Sequence, residues 1–320
     1  MLILRNIFLL FSILLTFFIF ITNHRIHLQE GLLFEIEQGT SLQEVANELK
    51  NRDLILNQSL FILNAKIHNI DQAIKAGEYL LSNSESIFTL QKKFLEGDTF
   101  FRKLQLLEGM TVREILKLGK GEGIVDDING DLEKFKLKLN IVGQAEGLLF
   151  PDTFFYKKGD LFSSLLKKAF DKQQTVYLDL WNSRQEDLPY SSLIEAITLA
   201  SIIEKEGLEK ETIAGVFVNR LRKKMKLQSD PTVIYALGLK FDGNIKRSHL
   251  RIDNPYNTYR YKGLPPGPIG LVSLSSIEAA LNPKQSEYLY FVSMNNGFHK
   301  FSKTLEEHNQ AVLKYQINER

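Results

Sequence analysis

The chain has 320 residues, 44% of them hydrophobic, a formal net charge of +2 from 40 Lys and Arg against 38 Asp and Glu, and no cysteine. The length allows two or three domains. The missing cysteines exclude disulfides, thiolate metal sites, iron–sulfur clusters and cysteine nucleophiles, and the balanced charge leaves no bulk positive field for nucleic acid.

Residues 6–23, NIFLLFSILLTFFIFITN, carry no charge. As a helix they span roughly 27 Å, close to a bilayer core. The run is apolar all round, and Thr22-Asn23-His24-Arg25 offers no small-residue cleavage site. It therefore reads as an uncleaved, single-pass membrane anchor. A short N-terminal tail before it implies a cytoplasmic N-terminus, with the bulk of the chain outside the cytoplasm.

After the anchor a short pattern occurs twice. Phe34-Glu35-Ile36 leads through Gly39 to a helix over Leu42–Leu49, and Leu104-Gln105-Leu106 leads through Gly109 to one over Val112–Leu118. Capping boxes at Ser41-x-x-Glu44 and Thr111-x-x-Glu114 open both helices. Between them lie a helix from Gln58 to His68, capped by Asn57, and a strand around Glu78–Ser82. Residues 119–142 read as a connection with a little helix. All eight prolines and ten of eleven tyrosines follow residue 150, which marks a boundary near Val142–Ala145.

Beyond it, helices are predicted over Asp160–Asn182 (capped by Asp160), Ser191–Glu206 and Thr212–Met225. A short helix to Leu237 opens with Asp230 as N-cap and Pro231 at the first position. Ser275-x-x-Glu278 caps another helix, which Pro283 ends. Tyr288–Met294 and Phe298–Ser302 flank the turn Asn295-Asn296-Gly297 as a β-hairpin, and Thr304-x-x-Glu307 caps the last helix. Helices and an antiparallel hairpin in separate runs indicate an α+β fold.

On a wheel of the helix ending at Glu206, Leu193, Ile197, Ala200 and Glu204 share one stripe, at about 0°, 40°, 340° and 20°. Glu206 falls near 220°, on the polar flank. A carboxyl group aimed at apolar surroundings has its charged form desolvated, and a raised pKa suits a general acid. Against this, Glu204 sits on the last turn, where it can reach solvent or an arginine. Asp230 is either a catalytic carboxylate or a helix cap. The loop Asn254–Tyr259, with Tyr256, Asn257 and Tyr259, suits sugar recognition or a structural turn equally. His299 and His308 lack a third ligand at metal spacing. No phosphate loop, nucleophile elbow or cofactor motif is present, so neither cofactor nor metal is expected. The basic run Arg220–Lys226 reads as a solvated face, or else as a contact for an anionic polymer or membrane surface.

Several stretches in order resemble one family. They are Glu146–Phe154, Ala200–Glu206, Val218–Leu221, Met225–Tyr235, Tyr256–Tyr259, Gly263–Ile269, and Tyr288–Val292 through His299 to Asn309. Together they resemble the endolytic murein transglycosylases (the MltG or YceG-like family). The match departs at Leu271-Val272-Ser273, where family members often carry a Pro-Gly turn. The resemblance implies a peptidoglycan lytic transglycosylase, a lyase. It would cut the β-1,4 bond from N-acetylmuramic acid to N-acetylglucosamine inside nascent strands, leave a 1,6-anhydro end and terminate elongation. It implies Glu204 as the catalytic residue; the segments Gln228–Asp230 and Tyr256–Tyr259, with Gln228, Asp230, Tyr256, Asn257 and Tyr259, are expected to line the groove and help hold the sugar. It further implies peptidoglycan synthases (penicillin-binding proteins) as partners and a place in the cell inner membrane, with the catalytic domain periplasmic. The expected domains are a tail and anchor over 1–24, a LysM-like module over 25–100, a second strand–helix unit with its connection over 101–143, and an α+β catalytic domain over 144–320. The alternatives are a lysozyme-type hydrolase with Asp230 as second carboxylate, and a non-catalytic peptidoglycan-binding or synthase-scaffolding protein.

Overall fold

The computed structural model describes residues 2–22, 31–70, 74–83 and 85–317. These divide into two compact units, residues 1–102 with 155–159, and residues 103–154 with 160–320.

The first unit begins with helix α1, Leu2–Thr22. Its described large apolar side chains, from Leu4 to Phe20, are exposed. Among the described residues no helix is long and apolar enough to cross a membrane. The end of the expected anchor, Asn23, and the His24 and Arg25 that follow it lie outside the described residues. Next come strand β1 (Leu32–Ile36), helices α2 (Leu42–Asn51) and α3 (Gln58–Ile67), strand β2 (Gly77–Leu81) and helix α4 (Ile87–Glu96). β1 and β2 pair antiparallel, with Phe34 opposite Tyr79. Alternation along β1 buries Phe34 and Ile36 and turns Glu35 outward. The Ser41–Glu44 capping box and the Asn57 cap form as expected. The sequence reading placed no element over α4. Ser86 caps it, and Ile87, Leu90, Gln91 and Phe94 face inward at helical spacing. Phe94 stacks on Phe34 at 6.0 Å and meets the Tyr79 ring edge-on at 4.8 Å, so α4 completes this core.

Strand β3 (Arg102–Gln105) pairs with strand β4 (Thr153–Tyr156), and between them in sequence the second unit holds α5 (Val112–Leu116) and α6 (Leu132–Leu139). Helices α7 (Phe162–Asn182), α8 (Leu193–Glu206), α9 (Lys210–Arg222), α10 (Asp230–Leu237) and α11 (Leu274–Leu281) follow. Strands β5 (Tyr290–Ser293) and β6 (His299–Ser302) and helix α12 (Leu305–Val312) close the unit. The segment expected to stand apart, 101–143, packs into this unit: Gly109 N donates to Leu271 O and Leu271 N to Met110 O, each at 2.8 Å.

Helix α8 is the centre of the core. Eight consecutive residues, Ala196–Ile203, are buried, packed against apolar side chains of α7, α9 and α11. A helix apolar on every side must be enclosed, and these three neighbours enclose it. Three expected caps move. Helix α7 starts after Leu161 with no side-chain cap, so Asp160 does not serve. α10 starts at Asp230 itself, after Ser229 and with no side-chain cap, and α11 is capped at Ser273, whose side chain accepts from Ser276 N, rather than at Ser275. The β5–β6 hairpin forms with Ser293 opposite His299. Asn295 and Gly297 both take the left-handed conformation its turn requires.

Candidate active site

Helix α8 ends at two carboxylates two residues apart, which the structure sends to different places. Glu204 points inward, as the wheel implied, but into a polar lock. Its Oε1 lies 3.1 Å from Lys210 Nζ, and its Oε2 accepts from Ser273 N at 2.9 Å and from the Ser273 hydroxyl. The same ammonium donates to Ser273 Oγ at 2.8 Å and Ser275 Oγ at 3.0 Å. Burial pushes the Glu204 pKa up. The hydrogen bonds of Ser273 and Ser276 and the Lys210 ammonium outweigh it, and the net direction is down. Glu204 is therefore held ionised, with its oxygens occupied, tying α8 to α9 and α11.

Glu206 is the last residue of α8. Its carboxyl accepts from the Ser229 hydroxyl. Burial pushes its pKa up to about 7. Asp230 adds to the rise, and Ser229 and Arg220 oppose it. It lines a cavity of about 610 Å³ with Gln228, Asp230, Tyr259, Tyr290 and His308, a size typical of ligand pockets. Asp230 does not cap its helix. Its Oδ1 accepts from Tyr259 OH at 2.6 Å, and Gln228 is held beside it in a left-handed backbone conformation.

Arg220 sits behind this carboxylate. The sequence placed it on a solvated face, yet it is 7% exposed. Its Nε donates to Leu289 O at 2.6 Å and its Nη1 to Leu227 O at 2.7 Å, and it lies over the Tyr290 ring. His308 stacks on the same Tyr290 ring at 5.3 Å. A Cβ on Gly207 would fall 2.6 Å from His299 Cε1, so glycine lets the hairpin close over the end of α8.

Of the expected groove, the structure gathers Gln228, Asp230 and Tyr259 around Glu206, not Glu204. Asn257 is fully buried and structural. Its Nδ2 donates to Leu250 O and Ile252 O at 3.1 and 2.9 Å, and its Oδ1 accepts from Tyr259 N. Tyr256 lines a different cavity, with Gln144, Glu146 and Tyr235. There Glu146 accepts from Val112 N at 2.9 Å and from Tyr235 OH at 3.1 Å, and burial again pushes its pKa up to about 7. Among the described residues no cluster of three or more His, Asp or Glu is set to hold a metal ion.

The model of the YceG-like family matches residues 34–314. The chain belongs to the YceG-like family. An endolytic murein transglycosylase of Bacillus subtilis is 36% identical over 303 residues, covering 88% of this chain and 83% of the relative. One from Streptococcus pneumoniae is 31% identical over 88% of this chain, which spans 57% of that longer relative. A 2.6 Å crystal structure of a yceG-like protein from Listeria monocytogenes matches with 34% identity and a TM-score of 0.52, over 88% of this chain and 99% of that one. This YceG-like chain thus carries at the end of α8 one carboxylate locked in its core and one facing a cavity.

Proposed function

We propose that this chain is an endolytic murein transglycosylase and that Glu206 is its catalytic acid and base. The observation that carries this reading is the Glu206 carboxyl. It is buried, raised to about 7 and set in a cavity with Asp230 and Tyr259. An acid still protonated near neutral pH can donate to a glycosidic oxygen. As the C1–O bond breaks, that oxygen takes the Glu206 proton. The carboxylate so formed then takes the proton of the same sugar's C6 hydroxyl, whose oxygen bonds to C1. The products are a free hydroxyl on one sugar and a 1,6-anhydro ring on the other, and Glu206 ends protonated as it began. No water is consumed, so no second carboxylate is needed to activate one. Asp230, engaged by Tyr259, acts as a polar wall and as a charge that keeps Glu206 protonated.

The relatives' name supports cleavage inside strands, and the uncharged run of residues 6–23 supports a membrane anchor. In this reading the N-terminus is cytoplasmic and the second unit works on the periplasmic side of the inner membrane, beside peptidoglycan synthases, ending strand growth. The compact strand–helix–helix–strand order of the first unit supports its LysM-like reading.

The test is a product mass. Purified Glu206→Gln protein should release no fragments from glycan strands, and wild type should release ends lighter by one water than those of a hydrolase. Glu204→Gln should still cut, since its carboxylate never faces the cavity. Cutting by the Glu206 variant together with silence of a folded Glu204 variant would return the role to Glu204. Products at the full hydrated mass would favour the lysozyme-type reading, for which Asp230 stands in the same cavity.

A further inference from the structure

A second cavity system lies in the same unit and the cleavage chemistry does not use it. One lobe, of about 690 Å³, is lined by Arg113, Lys117, Lys120, Gln144, Tyr235 and Tyr256 among others. A second lobe, of about 750 Å³, shares Arg113, Lys117, Glu146, Tyr235 and Tyr256 with it and adds Glu114 and Lys205. Shared walls make them one trough. Arg113, Lys117 and Lys120 follow at intervals of four and three along α5 and its continuation, so they form one stripe. Among the described residues their side chains hold no hydrogen bond or ion pair. Like charges at this spacing repel. The trough's two acids are outnumbered: Glu114, which feels the Lys117 charge, is bonded to the Thr111 amide and hydroxyl, and Glu146 to Val112 and Tyr235. The tyrosine rings stand 4.8 Å apart, and the Tyr256 hydroxyl donates to Gln144 at 3.2 Å. Three unpaired cations beside an aromatic and amide wall fit a ligand with several carboxylates on a polar, partly apolar frame.

The trough is tied to the Glu206 cavity twice. Asp230 at the start of α10 lines the catalytic cavity and Tyr235 on the same helix lines the trough. Five residues of helix separate them by roughly 7.5 Å along the axis. Neighbouring residues Lys205 and Glu206 likewise face the trough and the catalytic cavity. The two cavities thus share the walls of α8 and α10, so a strand lying at Glu206 has the trough on the other side of those walls. Murein strands carry short peptides with free carboxylates on alternate sugars. We propose that this trough holds the carboxylate-bearing peptide of the strand being cut, so that Arg113, Lys117 and Lys120 select peptide-bearing over bare glycan. This rests on the transglycosylase reading of the Glu206 cavity.

The experiment uses the full chain carrying Glu206→Gln, which binds without cutting, and glycan strands with peptides intact or removed by an amidase. Peptide-bearing strands should bind about tenfold tighter, and the preference should shrink with added salt. Adding Arg113→Ala, Lys117→Ala and Lys120→Ala should bring the ratio close to one, with melting temperature monitoring the fold. The charge reversal Lys117→Glu should lower it in the same sense. In otherwise wild-type protein the triple change should raise KM for peptide-bearing strands and leave kcat within a few-fold. A ratio unchanged by the triple and reversal variants overturns the proposal, as does equal binding of both strand types by the Glu206→Gln chain. The transglycosylase reading fails separately, if wild type releases no anhydro ends from either substrate.

Discussion

At the scale of one residue, the groups around Glu206 set the pH at which it works. It must start protonated, so kcat/KM should fall on the alkaline side of about 7, tenfold per pH unit. Ser229 bonds the charged form and lowers the pKa, whereas Asp230 repels that form and raises it. Ser229→Ala should therefore move the alkaline limb to higher pH, and Asp230→Asn should move it to lower pH. Opposite displacements in two pH–rate profiles would be hard to obtain from structural damage. Limbs that stay put in both variants would show that another group titrates. Glu204 obeys the reverse logic. Its pKa is lowered, so its contribution to stability is present above the unfolded carboxyl value and lost as pH falls through the folded one. Glu204→Gln leaves Lys210 without its counter-ion and should cost about 2–4 kcal/mol in urea unfolding at pH 7. The sequence separated these two residues by direction, Glu204 inward and Glu206 on the polar flank, but not by what each would meet. A wheel reports only which way a side chain leaves its own helix, and it was right that Glu204 points inward. Apart from Lys210, what receives each carboxylate comes from 23 to 69 residues away: Ser229 and Asp230 for one, Ser273 for the other. The same limit hid Asn257, whose amide is consumed by its own loop, and Arg220, whose guanidinium is drawn under β5.

At the scale of elements, α9 shows what close approach demands. Gly215 lies inside this helix, where glycine costs roughly 1 kcal/mol relative to alanine. A Cβ there would fall 2.3 Å from the Lys284 carbonyl oxygen, whose residue also donates from its N to Glu211 O at 3.0 Å. Backbone so held cannot step aside. Gly215→Ala should therefore destabilise by about 2–4 kcal/mol despite its better helix propensity. Chemical denaturation gives the value, and an unchanged or stabilised variant would mean that the segment after α11 yields freely. Local signals carried most elements. Capping boxes at Ser41 and Thr111 and the caps Asn57 and Thr304 all formed where short polar side chains met apolar periodicity. Caps failed where tertiary partners competed. Asp230 took the Tyr259 hydroxyl in preference to its helix, and the start of α7 was fixed by Val125, which bonds the backbone of Asp160 and Phe162. Helix α4 was missed although Ser86, Ile87, Leu90 and Phe94 spell it, because its buried Gln91 broke the apolar count. That glutamine spends its amide on Phe61 O at 2.7 Å.

At the scale of the whole molecule, near-neutrality conceals two carboxyl groups that the fold holds against their ordinary ionisation. Glu146 and Glu206 are both pushed from 4.5 to about 7 by burial. Between these values the folded state keeps protons that the unfolded chain has released. The stability each provides is thus complete below about pH 4.5, declines as pH rises, and is lost once pH passes about 7. A shift of this size corresponds to about 3 kcal/mol per group. Glutamine at either position copies the protonated shape and cannot ionise. Glu146→Gln should be near neutral at pH 4.5 and increasingly stabilising towards pH 8, by about 1–3 kcal/mol. Glu206→Gln should follow the same course and lose activity, as expected where a functional group is held in an unfavourable state. The two changes lie in separate cavities, so their effects should add. Melting curves for wild type, both single variants and the double variant at pH 4.5, 6, 7 and 8 give the four profiles. A gain that is constant across pH would mean that packing, not ionisation, separates glutamine from glutamate. A gain confined to Glu206 would leave Glu146 as an ordinary latch between α5 and α10, with its proton unused.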